Sequence, residues 1–115
     1  MLNKSNSYRL SQEILRNKAL SKGVNLIAPE TIFLSNDTTF GKNVTVEPYV
    51  VFGPKVKIGD NSLVKSFTYI EGTKIEKNVT VGPYARLRTG TILRENSKVG
   101  NFVETKKSSI KQNSK

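Results

Sequence analysis

One period dominates the chain. In the run V-E-P-Y-V-V-F-G-P-K-V-K-I at 46–58, Val46, Phe52 and Ile58 stand six residues apart. Val50 and Val56 come four positions after the first two, and Gly53 and Gly59 come one position after the last two. An α-helix repeats about every 3.6 residues and a flat strand about every 2. A period of six fits neither, but it fits a solenoid of short strands joined at corners. First places of the repeat fall on Ala28, Leu34, Phe40, Val46, Phe52, Ile58, Val64 and Ile70. After a one-residue slip they resume at Ile75, Val81, Leu87, Leu93, Val99 and Thr105, and a second slip puts the next on Ile110. Fifth places, such as Ile32, Val44, Val50, Val56, Val79 and Val103, are small or β-branched. No charged residue occupies either place in a chain that is 24% charged, so the pattern is not a compositional accident.

Three hexapeptides make one triangular coil, and the register divides the chain into about five: 28–45, 46–63, 64–80, 81–98 and 99–115. The expected inner walls are Ala28, Val46, Val64, Val81 and Val99; Leu34, Phe52, Ile70, Leu87 and Thr105; and Phe40, Ile58, Ile75, Leu93 and Ile110. Each coil buries its apolar residues only against its neighbours, so several are needed for stability. Glycines 41, 53, 59, 82 and 100 share the second place, which points to a corner that requires a missing Cβ or a special dihedral. Ahead of the coils, 8–23 is predicted to be a short helix: Leu10 with Ile14 and Leu15 with Ala19 pair at i, i+4. Asn6 or Ser7 is placed to cap its start, and Gly23 lies just past its end. Residues 1–7 read as a loose, disordered tail and 24–115 as the solenoid domain.

A low hydrophobic fraction, 36%, suits this architecture, because only one or two places in six face inward. The absence of cysteine excludes a disulfide framework or a thiolate metal site. Residues 1–10 hold no apolar signal-peptide core and no run approaches a membrane span, so a cytoplasmic protein is expected. The formal charge of +10 favours anionic partners. The lysines are scattered over outward places, however, and no nucleic-acid-binding motif accompanies them, so neither nucleic acid nor membrane is an expected partner.

Two further patterns bear on function. Tyr49, Phe67, Tyr84 and Phe102 occupy the fourth place of successive coils and are expected to stack, either stiffening a corner or offering a contact strip to a neighbouring subunit. Arg88 and Lys106 occupy the second place of the second hexapeptide in successive coils, 18 residues apart. Two cations one level apart on one corner are either solvated or clamp an anion. A guanidinium fork and an ammonium both suit phosphate. Arg86 and Glu104 are likewise one coil apart and read as a structural cross-strand ion pair.

The segments A-R-L-R at 85–88 and G-N-F-V-E at 100–104 followed by Lys106-Lys107 carry a resemblance. Together with 23–27, 50–54, 70–72 and 81–83, they are similar to the first part of one bacterial domain. That domain is the C-terminal acetyltransferase of the bifunctional N-acetylglucosamine-1-phosphate uridyltransferase / glucosamine-1-phosphate N-acetyltransferase. The resemblance implies a left-handed parallel β-helix that assembles as a homotrimer. It implies acetyl transfer from acetyl-CoA to glucosamine 1-phosphate, on the route to the UDP-N-acetylglucosamine used in peptidoglycan and lipopolysaccharide. It also implies that Arg88 and Lys106 bind the sugar phosphate.

This sequence departs from that pattern in three ways. Thr89-Gly90 stands where the family usually has Pro-Gly. The chain contains no histidine, the family's general base, so no catalytic residue is assigned. The region implied to hold acetyl-CoA would lie past Lys115. The expectation is a sugar-phosphate half-site without turnover of its own, completed in a homotrimer or by a complementary chain carrying further coils. The competing expectation is a noncatalytic solenoid remnant or assembly module.

Overall fold

The computed structural model describes residues 4–100 together with the backbone of 104–105 and 109–110; side chains are described for residues 7–100. One helix, α1 (Lys4–Ser21), precedes a parallel β-solenoid whose strands, numbered in chain order, form three five-stranded sheets. The first sheet stacks β1 (Asn25–Leu26), β4 (Thr45–Val46), β7 (Leu63–Val64), β10 (Thr80–Val81) and β13 (Lys98–Val99). The second stacks β2 (Ile32–Phe33), β5 (Val50–Phe52), β8 (Thr68–Ile70), β11 (Arg86–Leu87) and β14 (Glu104–Thr105). The third stacks β3 (Thr39–Phe40), β6 (Lys57–Ile58), β9 (Lys74–Ile75), β12 (Ile92–Leu93) and β15 (Ser109–Ile110). Every neighbouring pair is parallel, which is the hexapeptide-repeat β-helix, the left-handed type that such repeats fit.

First and fifth places of the repeat face the interior. Val46, Val64, Val81, Phe52, Ile70, Leu87, Ile58, Ile75 and Leu93 are buried, and so are the fifth-place residues Ile32, Val44, Val50, Val56 and Val79. Two residues in six therefore build the core, and a strand of two residues suffices because its partners above and below continue the wall.

One wall residue differs from expectation. Leu26, not Ala28, pairs with Val46, and Leu26 is buried where Ala28 is only partly so. The cause is a 3-10 turn at Pro29–Thr31, closed by Thr31 N–H and Thr31 Oγ1 on the Ala28 carbonyl at 2.9 and 2.7 Å. That turn lengthens the first corner, so the six-residue count fails there.

The corners explain the glycines and correct part of their reading. The special dihedral sits mainly at the fourth place, where Asn43, Asn61, Asn78 and Asn96, Tyr49, Phe67 and Tyr84, and Lys55 all have φ between 57° and 65°; at the second place Gly82, with φ 86°, has it as read. Asparagine tolerates this left-handed conformation better than most residues. At the second place, Gly41, Gly53 and Gly59 serve close approach instead. A Cβ on Gly59 would lie 2.6 Å from the Glu76 carbonyl carbon and 2.8 Å from Lys77 N, in the coil above. Buried hydroxyls fasten several corners: Thr91 Oγ1 donates to the Arg88 carbonyl at 2.7 Å, and Ser97 Oγ to the Arg94 carbonyl at 2.6 Å.

Helix α1 closes the N-terminal mouth of the solenoid. It begins at Lys4, four residues before the expected start, so residues 4–7 are helical rather than loose. Nothing in Ser5-Asn6-Ser7 is a helix breaker, and such residues cost only about 0.5 kcal/mol each relative to alanine. The buried face is also not wholly the expected one. Leu15 and Ala19 pack on the core, but Leu10 and Ile14 are 46% and 68% exposed. Gln12, only 3% exposed, does the docking: its Nε2 donates to the Leu34 carbonyl at 2.7 Å and its Oε1 accepts from Leu34 N–H at 2.8 Å. Arg16 Nε donates to the Ile32 carbonyl at 2.8 Å while its guanidinium lies 5.0 Å from the Phe33 ring centroid. These groups satisfy the free edge of β2 as another strand would, and a capped edge cannot recruit a second sheet.

Candidate functional site

Arg88 leaves β11 at the corner between the second and third sheets, and its side chain is partly exposed. Its backbone is held from two sides, because the Arg88 carbonyl accepts from Thr91 Oγ1 at 2.7 Å and from Thr73 Oγ1 at 3.4 Å. Two amide-to-carbonyl bonds tie this corner to the coils below: Gly90 N–H to Gly72 O at 2.9 Å and Gly72 N–H to Pro54 O at 2.7 Å. The close stacking requires Gly72, since a Cβ there would lie 2.7 Å from Thr89 Cα. Above, Arg86 pairs with Glu104 and Leu87 with Thr105 in parallel register, so the one-coil spacing read from the sequence holds for these backbones. Lys106 and the Glu104 side chain lie outside the described residues, as does the ion pair expected between Arg86 and Glu104.

Beneath Arg88 stands a residue the sequence reading passed over. Ile70 pairs with Leu87, so Glu71 occupies the second place one coil below Arg88. Both of its oxygens are engaged: Tyr69 Oη donates to Oε1 at 2.9 Å and Thr89 Oγ1 to Oε2 at 2.9 Å. The Tyr69 and Thr89 hydroxyls, with the positive charges of Arg86 and Arg88, hold the Glu71 carboxyl below its ordinary range against a smaller opposing effect of burial. The same bond, together with burial and the Glu71 charge, pushes the Tyr69 phenol up. Glu71 is thus an anion at neutral pH, too weak a base to take a proton from an amine there. The slip between Ile70 and Ile75 hid it, because its offset from Arg88 is 17 residues rather than 18. Thr89, noted only as a departure from Pro, is one of the two groups that hold it.

The aromatic column is present as far as it is described. Tyr49 and Phe67 stack with centroids 5.3 Å apart and planes 8° apart, and Phe67 and Tyr84 stack at 5.1 Å and 9°. All three rings are about half exposed, and Phe102 lies outside the described residues. Val51 and Arg86 border the column on the second sheet. Among the described residues no group of three or more His, Cys, Asp or Glu is placed to hold a metal ion, and no helix is long and apolar enough to cross a membrane.

Residues 37–72 match the family described as bacterial transferase hexapeptide (six repeats), in keeping with the fold and the repeat. The particular resemblance is to the bifunctional protein GlmU. The chain is 53% identical over 64 residues to that of a Bradyrhizobium species, 52% over 65 residues to that of Xanthobacter autotrophicus, and 47% over 64 residues to that of Gluconobacter oxydans. Each match covers 56% of this chain and 14% of the relative. The resemblance to part of an acetyltransferase domain, drawn from the motifs above, is upheld by relatives at about half identity.

Proposed function

We propose that this β-helix supplies the sugar-phosphate half of a glucosamine-1-phosphate N-acetyltransferase site, with Arg88 and Lys106 as the anion clamp. The observation that carries the reading is the register of β11 with β14, which sets residues 86–87 and 104–105 one coil apart ahead of the two cations. A corner fastened through the Arg88 carbonyl supports it, because a fixed backbone sets the point from which the guanidinium reaches a phosphate. These 115 residues contain no histidine, and among the described residues the carboxylate beneath Arg88, Glu71, is held ionised by hydroxyl donors. Acetyl-CoA and the proton acceptor are therefore assigned to further coils carried by a complementary chain, since a homotrimer of these residues alone adds no histidine.

Titration of the chain with glucosamine 1-phosphate, followed by amide NMR shifts, tests the reading. Saturable shifts at the Arg88 corner are expected, with loss of about tenfold or more in affinity for Arg88→Ala, the scale of one charge-assisted phosphate contact. Shifts that persist unchanged in Arg88→Ala and Lys106→Ala would overturn it. Incubation with acetyl-CoA and glucosamine 1-phosphate is expected to give no N-acetylated product above background.

A further inference from the structure

Glu71 has a consequence for any anion that reaches this corner. The Arg88 guanidinium has the coil below on one side and the coil of β14 on the other. On the lower side stands a carboxylate that is fixed rather than mobile, with one oxygen on Tyr69 and the other on Thr89 at 2.9 Å each. Its neighbours in the column do not repeat it: the second place one coil further down is Gly53, whose added Cβ would meet Tyr69 Oη at 2.8 Å and Glu71 Cβ at 2.9 Å. The pocket that seats the tyrosine and the glutamate is therefore built by the absence of a side chain below them.

We propose that Glu71 is a built-in counter-anion of the Arg88 corner, which lowers the affinity for phosphate esters and keeps weaker anions off. The inference rests on the phosphate-clamp reading above. A carboxylate pinned by two hydroxyls cannot swing away when a ligand arrives, so a phosphate at the corner one coil above feels its charge. A phosphate ester, with close to two charges and three acceptor oxygens, overcomes this where chloride or acetate does not. Glu71 here is a tuning residue that acts through Arg88; it need not touch the ligand.

The test compares the native chain with Glu71→Gln. Gln keeps an acceptor for Tyr69 and offers its amide to the Thr89 oxygen, so only the charge is lost. Glucosamine 1-phosphate is expected to bind about two- to fivefold more tightly to the variant, the scale of one partly exposed charge interaction. Competition by chloride is expected to be stronger in the variant than in the native chain. Circular dichroism reports whether the fold is kept, and Glu71→Ala, read the same way, replaces the Gln variant if that one does not fold. If the native chain binds through Arg88 and the folded variant binds no more tightly, this inference falls and the clamp stands. If neither protein binds the sugar phosphate, the clamp falls and takes the inference with it.

Discussion

Thr68 shows how sharply a single position is read by this fold. It sits at a fifth place, buried between Val50 below and Ala85 above, and its Oγ1 is the buried side-chain oxygen among the described residues that has no hydrogen-bond partner. Other buried hydroxyls in the core are satisfied: Ser62 Oγ donates to the Glu76 carbonyl at 3.0 Å and accepts from Val79 N–H at 3.1 Å. Thr68→Val, which keeps the shape and removes the stranded hydroxyl, is expected to stabilise the chain by about 1 kcal/mol in thermal unfolding. Titration sets a second expectation. Glu71 and Glu76 have their carboxyls lowered from 4.5, Glu71 foremost by the Tyr69 hydroxyl and Glu76 by the Glu95 N–H. Their contribution to stability is complete above that ordinary value and is lost as the pH falls through the lowered ones. Tyr69, raised from 10.0 chiefly by its bond to Glu71, contributes below that value and loses its contribution as the pH rises through the higher one. The melting temperature is therefore expected to hold a plateau between these limits and to fall at both ends, with a shallower acid limb in Glu71→Gln.

At the scale of the element, helix α1 and the corners carry most of what the sequence did not disclose. Apolar i, i+4 pairs are the ordinary sign of a buried helix face, and here one of the two pairs, Leu10 with Ile14, faces water. A sheet edge asks its cover for hydrogen bonds, and Gln12 supplies a donor and an acceptor at once, which no hydrophobic pattern encodes. Gln12→Ala is expected to leave Leu34 N–H and carbonyl unpaired and to weaken helix docking by about 2 kcal/mol. Limited proteolysis within α1 should then run ahead of global unfolding, whereas Ile14→Ser should leave the cleavage pattern unchanged. The corners were half legible. The recurring asparagines 43, 61, 78 and 96 mark the left-handed place, whereas the dihedral read at the second-place glycines is found at Gly82. Gly59→Ala is expected to cost about 2 kcal/mol or more, because its Cβ must push apart two coils joined by backbone hydrogen bonds.

For the whole molecule, the solenoid was legible because its rule excludes charge from every inward place, and periodicity reports that exclusion over the full length. Where length changed locally, at the Pro29–Thr31 turn, the rule named Ala28 instead of Leu26. The outside is ordered too: the third places after the third-sheet strands alternate as Lys42, Asp60, Lys77 and Glu95, with Lys77 Nζ 3.1 Å from Glu95 Oε1. Such columns favour one stacking register over a slipped one, since a shift by one coil sets like charges together. The same stacking is what turns residues distant in sequence into neighbours at the Arg88 corner. A crystal structure of the chain with glucosamine 1-phosphate tests that directly. The expected result is the phosphate held on the corner after β11, within hydrogen-bonding distance of both the Arg88 guanidinium and Lys106 Nζ. A structure with Lys106 on a different corner from Arg88, or with the sugar phosphate seated elsewhere, would contradict it.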